Sequence, residues 1–334
     1  MTFQQPSKPS NTSPTCLICG RSTLEATNLQ ARDYLSNNQF TLARCVHCQC
    51  LMTMDAQQDQ KHDYYGENYY NASSGKFSTV IEKIFRLNHA RNARYFHTHF
   101  PSTNILEVGC GRGYLLKELK RLGATVFCLE SADAADWILD NPDIQVATLP
   151  ESQSNRWPFA DDFFQLIIFW HVLEHLSDPA GSLKQAFCCL ALGGTVCVSV
   201  PNVSSLQARL HLTTWFHLDV PRHLYHFSQT GLVFLLEKQG YEIIKITAGD
   251  RMQNLFGWLQ SLANLFTPGH INSFYRLLQG GKPLRGVNIL SLAIQLLTCW
   301  IWIPLGMLGF LMEEITKKHA TITVYAKKPD HDNK

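Results

Sequence analysis

Asn104-Ile-Leu-Glu107-Val-Gly109-Cys-Gly111-Arg-Gly113-Tyr-Leu-Leu-Lys-Glu-Leu119 joins a short apolar run to a turn with glycine at alternate positions. Leucines then recur at 115, 116, 119 and 122, the spacing of a helix that buries one face. Strand, glycine turn and amphipathic helix make the first βα unit of a nucleotide-binding sheet. The glycines let backbone approach a ligand closely. A dehydrogenase fingerprint would read GxGxxG, whereas Gly109, Gly111 and Gly113 give GxGxG preceded by the acid Glu107. Outward from this core, Thr125-Val-Phe-Cys-Leu-Glu130 reads as a second strand, ending in a carboxylate 17 residues after Gly113.

In this order the residues resemble the class I S-adenosylmethionine (SAM)-dependent methyltransferases, whose first motif reads (D/E)xGxGxG. The resemblance continues through Phe163-Phe-Gln-Leu-Ile-Ile-Phe-Trp170-His171-Val-Leu-Glu174-His175 and Leu192-Gly-Gly-Thr-Val-Cys-Val-Ser-Val-Pro201-Asn202. It implies a Rossmann-like, doubly wound α/β fold with a seven-stranded sheet, and SAM as cofactor. It also implies cofactor contacts from Glu107, Gly109, Gly111, Gly113, Trp170 and His171, with Glu130 on both ribose hydroxyls.

His171-Val-Leu-Glu174-His175 also spells HxxEH, the string of inverted zinc metalloproteases. That site needs one helix carrying both histidines, and these follow an apolar run that ends a strand. In the methyltransferase setting His171 and His175 sit near the sulfonium end of the cofactor, where one of them takes a substrate proton or both pack the loop. A second polar cluster, Asp219-Val-Pro-Arg222-His223-Leu-Tyr225-His226-Phe227-Ser228, precedes a helix for which Ser228 is a natural N-cap. It resembles the RHLYHFS segment of a bacterial methyltransferase subgroup, in which the loop before the last helix faces substrate. His171, His175, Arg222, His223 and His226 are therefore the candidate catalytic groups.

Toward the amino end, Cys16-Leu-Ile-Cys19-Gly20 and Cys45-Val-His-Cys48 are two CxxC pairs separated by 25 residues. Such pairs suit a tetrahedral four-thiolate zinc site, with a tight knuckle at each pair. Four thiolates leave no open coordination position, so zinc at Cys16, Cys19, Cys45 and Cys48 is structural. Cys50 and His47 are spare candidates, either of which could replace a nominal ligand or simply flank the second knuckle.

The surplus of basic over acidic residues is 29 − 27 = +2, too small to promise a phosphate-binding face, which argues against nucleic acid as a partner. Hydrophobic residues make up 45% and charged residues 17%, which excludes disorder as the main state. The opening MTFQQPSKPSNTSPT lacks the apolar core of a secretory leader, so the chain reads as cytoplasmic and its 11 cysteines as reduced.

The expected organisation is a disordered tail over 1–15, a zinc-knuckle domain over 16–60, a linker and helix over 61–100, and a SAM-binding domain over 101–250. An apolar helical insertion over 251–319 then precedes the final strand and tail, 320–334. The resemblance makes strands 241–248 and 320–328 an antiparallel hairpin, so this insertion of 69 residues lies inside the sheet's last connection. Val287 to Met312 holds no charge in 26 positions, enough to cross a membrane by hydropathy. A single crossing is excluded because both flanking strands belong to one sheet. A hairpin dipping into the cytoplasmic leaflet satisfies both constraints, broken near Pro304, Gly306 and Gly309. Trp258 then sits at the interface, and Lys282, Arg285, Lys317 and Lys318 lie near anionic head groups. A lid over the active site or a dimer interface are the alternatives.

The resulting expectation is a SAM-dependent methyltransferase acting on a hydrophobic, lipid-linked or polysaccharide-linked acceptor at the cytoplasmic membrane. Three rivals are a sugar-nucleotide C-methyltransferase, a ribosomal RNA methyltransferase with a zinc ribbon, and a non-catalytic SAM-fold scaffold.

Overall fold

The computed structural model describes residues 15–54, 56, 79–100, 104–131, 144–149, 156–267, 269–278 and 288–330. The expected tail before Thr15, the stretch 61–78, and Lys282, Arg285 and Val287 lie outside the described residues.

From the amino end, β1 (Leu24–Arg32), β2 (Gln39–Cys45) and β3 (Leu51–Thr53) form an antiparallel meander. Helix α1 (Thr79–His99) leads to β4 (Asn104–Val108), α2 (Tyr114–Arg121), β5 (Thr125–Ser131) and β6 (Gln145–Leu149). Then come β7 (Phe164–Trp170), α3 (Pro179–Cys189), β8 (Leu190–Pro201), α4 (Leu206–His211), β9 (Tyr225–His226), α5 (Gln229–Lys238) and β10 (Glu242–Ala248). Helices α6 (Arg251–Leu265), α7 (Ser273–Leu278), α8 (Ile289–Leu297) and α9 (Cys299–Thr316) precede the last strand, β11 (Thr321–Lys327).

Seven strands make one sheet, as expected, and their order is β10-β11-β8-β7-β4-β5-β6. β11 runs antiparallel to both its neighbours, while β8, β7, β4, β5 and β6 are parallel. Parallel central strands are covered on both faces and so read as unbroken apolar runs. Leu166-Ile-Ile-Phe169 of β7 is fully buried, and so is most of the same stretch of β8. Leu115, Leu116 and Leu119 bury the inner stripe of α2, as the leucine spacing requires. Chain order reverses between β4 and β7. A sheet of this kind offers its ligand crevice beyond the strand ends at that reversal.

The knuckle region is joined to this sheet by a shared strand. β9 pairs with β3 through Leu51↔His226 and Met52↔Tyr225, completing a second, four-stranded sheet. Ser228 caps α5 by accepting from the Gly231 amide at 2.9 Å, and its hydroxyl donates to the Cys48 carbonyl. One hydroxyl thus ends a helix and holds a knuckle.

The insertion folds onto the catalytic sheet rather than dangling from it, and three expectations are corrected. Pro304 does not break the helix: α9 continues through it to Thr316. Gly306 and Gly309 are close-approach residues, since an added Cβ would lie 2.7 Å from Leu259 Cδ2 and 2.5 Å from Trp258 Cε3. Trp258 is core rather than interfacial, being 3% exposed with its indole N–H donated to Glu313 Oε2 at 2.6 Å. Hydropathy cannot separate these roles, because it scores composition and not what packs against each face.

Reduced thiols were expected throughout, yet Cys110 and Cys128 form a disulfide. Parallel pairing sets Glu107 beside Cys128, and the turn at Gly109 brings Cys110 to a Cα–Cα distance of 6.0 Å from it. That proximity depends on strand register, which residue spacing along the chain does not reveal.

Candidate active site

The glycine loop follows β4 at the reversal point. Gly109, Gly111 and Gly113 all adopt positive φ, at 68°, 51° and 63°. At Gly109 a side chain is also excluded by space: a Cβ would meet Val172 Cγ2 at 2.3 Å. Gly113 is the N-cap of α2 and offers no side chain to its first turn, so that helix end presents bare backbone N–H groups. Glu130 is the penultimate residue of β5 and lies beside the loop, accepting from Gly111 N at 3.1 Å and Ser131 N at 3.0 Å. Burial raises its pKa, against the opposing effect of those two amides.

Glu107 is buried at the foot of the loop. Burial, with the Glu130 carboxylate adding repulsion, holds its pKa well above the usual range. Its Oε2 has no hydrogen-bond partner among the described residues. An orphaned carboxylate oxygen, a close-approach loop and a strand-end acid fit SAM, which carries an ammonium group and two ribose hydroxyls. Trp170 ends β7, and its ring meets Phe96 of α1 edge-on with centroids 6.1 Å apart.

Beyond β7 the chain turns at His171, which has φ of 53°, into a 3₁₀ turn over Leu173–His175. His171 and His175 therefore do not share a regular helix, as the HxxEH protease reading would demand. The structure gathers His171, His175 and His223 around the buried Glu174. Its Oε1 lies 3.6 Å from His171 Nδ1 and 3.9 Å from His223 Nε2. The rings of His175 and His223 are 4.6 Å apart at 72°. Burial, with His175 and His226 as further contributors, drives the pKa of His223 well below the usual histidine value.

Arg222 and His226 are placed elsewhere. The Arg222 guanidinium is buried between Asp33 at 2.7 Å and Asp219 at 2.6 Å, and lies 4.7 Å from the centroid of the Tyr34 ring. It ties the knuckle region to the 219–223 loop. Its backbone carbonyl, not its charge, reaches the histidine cluster, pairing with His175 Nδ1 at 3.0 Å. His226 sits within β9 with Nε2 at 3.1 Å from Thr53 Oγ1, and burial lowers its pKa to about 3. Sequence reading missed Glu82, His89 and His217. Glu82 accepts from the Tyr114 hydroxyl and from Arg112 at 3.4 Å, pinning α1 over the glycine loop. His89 and His217 lower their pKa values chiefly by burial and both feel His171. Single histidines on helical stretches carry no motif that would have marked them.

At the knuckles, Cys16, Cys19, Cys45 and Cys48 are all buried, with their sulfurs within 4.8 Å of one another. Cys16 and Cys48 sulfurs are 3.7 Å apart, and those of Cys19 and Cys45 are 3.6 Å apart. A tetrahedron with Zn–S bonds of about 2.3 Å has edges of about 3.8 Å, which these two spacings match. Cys50 is not one of the four converging sulfurs; its own sulfur lies 3.4 Å from the Ser228 amide nitrogen that donates to it.

A family model described as a methyltransferase domain matches residues 80–246, half of the chain. The chain belongs to the class I SAM-dependent methyltransferases. Among curated relatives, the methyltransferase is 28% identical over 109 residues to a ubiquinone biosynthesis O-methyltransferase of Parvibaculum lavamentivorans, covering 31% of this chain and 42% of that one. It is 28% identical over 159 residues to the protein of that name from Cereibacter sphaeroides, covering 44% and 60%. This methyltransferase thus spans about half the length of the curated relatives it matches. Among solved structures, a putative sarcosine dimethylglycine methyltransferase from Galdieria sulphuraria aligns at TM-score 0.49 and 12% identity, over 82% of this chain and 99% of that one. A SAM-dependent methyltransferase from Archaeoglobus fulgidus aligns at TM-score 0.45 and 18% identity, over 75% and 98%.

Proposed function

We propose that this methyltransferase binds SAM on the Gly109–Gly113 loop and methylates a hydrophobic, lipid-linked or polysaccharide-linked acceptor at the cytoplasmic membrane surface. SAM, when bound, supplies an activated methyl group to an in-line nucleophile. Glu130 orients the ribose, Glu107 answers a cationic group, and the glycine loop with Val172 excludes water from the strand ends. Alignment and desolvation carry the rate, and His171 or His175 receives a proton where the acceptor is a hydroxyl. Glu130→Ala should weaken SAM binding by about 1.5 to 3 kcal/mol, through loss of charge-assisted hydrogen bonds. Calorimetry checks this; affinity equal to wild type would remove Glu130 from the cofactor site.

The observation that carries the acceptor class is the outer face of α8 and α9. Ile289, Leu290, Leu297, Trp300 and Ile315 are 66% to 76% exposed, while the opposite faces pack inward through Leu292, Trp302 and Glu313. α9 is long and apolar enough to cross a membrane by length and composition, with 17% of its span buried. Pairing of β10 with β11 keeps both ends of the insertion on one side, which supports an interfacial seat. The ubiquinone-biosynthesis relatives point to the same kind of acceptor. Removing the insertion would strip buried contacts, so the test uses Trp300→Glu with Ile315→Glu. The pair should abolish pelleting with anionic lipid vesicles while SAM affinity holds. Together the two changes forfeit about 3 to 6 kcal/mol of apolar burial. Wild-type protein that stays in the supernatant sinks the membrane reading. Supplying SAM with a labelled methyl to a lysate identifies the acceptor: label in the organic extract supports this function, and label confined to nucleotide sugars or RNA overturns it.

The knuckle cysteines complete the proposal. They hold one structural zinc per chain, with no part in methyl transfer, because four thiolates close the coordination sphere.

A further inference from the structure

We propose that Glu174, His175 and His223 form a second metal site, binding one divalent transition-metal cation beside the cofactor loop. The inference is independent of the acceptor's identity. Glu174 is 0% exposed, and neither carboxylate oxygen has a hydrogen-bond partner among the described residues. Its nearest imidazole nitrogens, His171 Nδ1 at 3.6 Å and His223 Nε2 at 3.9 Å, are beyond hydrogen-bond reach.

The two histidines are already set as ligands. His223 Nδ1 lies 2.8 Å from the His217 carbonyl, and His175 Nδ1 lies 3.0 Å from the Arg222 carbonyl. Carbonyls only accept, so both Nδ1 atoms donate and both Nε2 atoms carry the lone pair, the tautomer a metal ligand needs. One ligand atom from each of the three residues lies within 4.8 Å of the others. A buried carboxylate with no hydrogen-bond partner among the described residues thus meets two imidazoles, an arrangement that a cation completes. The backbone fixes the partners: Leu224 N donates to the Glu174 carbonyl at 2.9 Å, clamping the turn after β7 to the loop before β9.

Two imidazoles and one carboxylate favour iron, cobalt, nickel or zinc over magnesium, and three protein ligands leave a coordination position open. Val172, two residues before Glu174, packs against Gly109, so the cation lies near the methyl-transfer site. There it takes an acceptor oxygen and lowers its proton affinity, which leaves His171 rather than His175 to receive the proton. The HxxEH string named two of the three ligands but paired them with His171 in place of His223.

Cobalt(II) is the probe, added to protein whose four-cysteine centre is already loaded with zinc. Wild type should take up one further equivalent, with d–d absorption and without a thiolate charge-transfer band. Paramagnetically shifted N–H resonances should come from two imidazoles. Glu174→Gln and His223→Gln should each weaken uptake at least about 100-fold, the scale of losing a metal-site partner. Retained SAM binding shows that the variants are folded. Absence of a second equivalent in wild type, a thiolate band on it, or unchanged uptake by folded Glu174→Gln overturns the site. The wild-type spectra decide alone if the variants fail to fold. A labelled-methyl assay that contradicts the proposed acceptor leaves the cobalt result standing.

Discussion

Gly109→Ala should lose SAM binding at cofactor concentrations that saturate the wild type. Two costs add at one position. A non-glycine residue held at φ of 68° loses about 1 to 2 kcal/mol. Its methyl group would meet Val172 at 2.3 Å, and forced overpacking costs typically about 1 to 3 kcal/mol more. Neither strain is local, because Gly109 N also donates to the Leu129 carbonyl at 2.8 Å, one residue before Glu130. Relief by moving the loop would carry the Glu130 carboxylate with it. Calorimetry for SAM and a thermal melt measure the two effects, and wild-type affinity in the variant would show that the loop is not the cofactor's seat. Gly109→Ala paired with Val172→Ala should recover part of the stability but not the backbone term.

Cys45→Ala should cost the protein its knuckle metal and loosen the catalytic half with it. Structural zinc contributes about 10 to 16 kcal/mol of apparent binding free energy in small domains, and that energy is folding energy. Here the loss propagates by a definite route. Cys48 accepts at its carbonyl from Ser228, the cap of α5, and β3 lends its edge to β9. Without the metal, protection from hydrogen exchange should fall at Tyr225 and His226 as well as at Cys16–Cys19. Metal analysis gives the first readout: stoichiometric zinc retained by the variant would discard Cys45 as a ligand.

Much of this was legible in the sequence, for reasons that differ by element. The glycine loop could be read because each of its glycines is demanded by local backbone geometry, which one short stretch fully expresses. The four-cysteine cluster could be read because two CxxC pairs at this separation suit a common tetrahedral site, and the four sulfurs do converge. The strand count and the closing antiparallel hairpin followed from family resemblance rather than periodicity. What escaped reading was tertiary pairing: β9 is two residues long and exists because β3 offers it an edge. Arg222 looked like a substrate contact because its charge was visible and its buried partners, Asp33 and Asp219, were not. Trp258 looked interfacial until Glu313, 55 residues away, supplied its acceptor. Glu174 stood inside a quoted motif, yet its importance as an unpartnered buried carboxylate is a property of surroundings that no linear string records.

The place of β11 governs the order in which the sheet is completed. It lies between β8 and β10 and is synthesised after every other described strand, with 72 residues, 249–320, separating it from β10. Closing so long a connection is entropically slow compared with forming the local βα units. The growing chain therefore carries a nearly finished sheet whose β8 edge is open, next to helices whose outer faces are apolar. An unpaired edge is a template for pairing with other chains. Yield in a cell should depend on what shelters that edge before Thr321–Lys327 arrives, and early contact of α8 and α9 with a bilayer would hold the chain ends in place while the last strand docks.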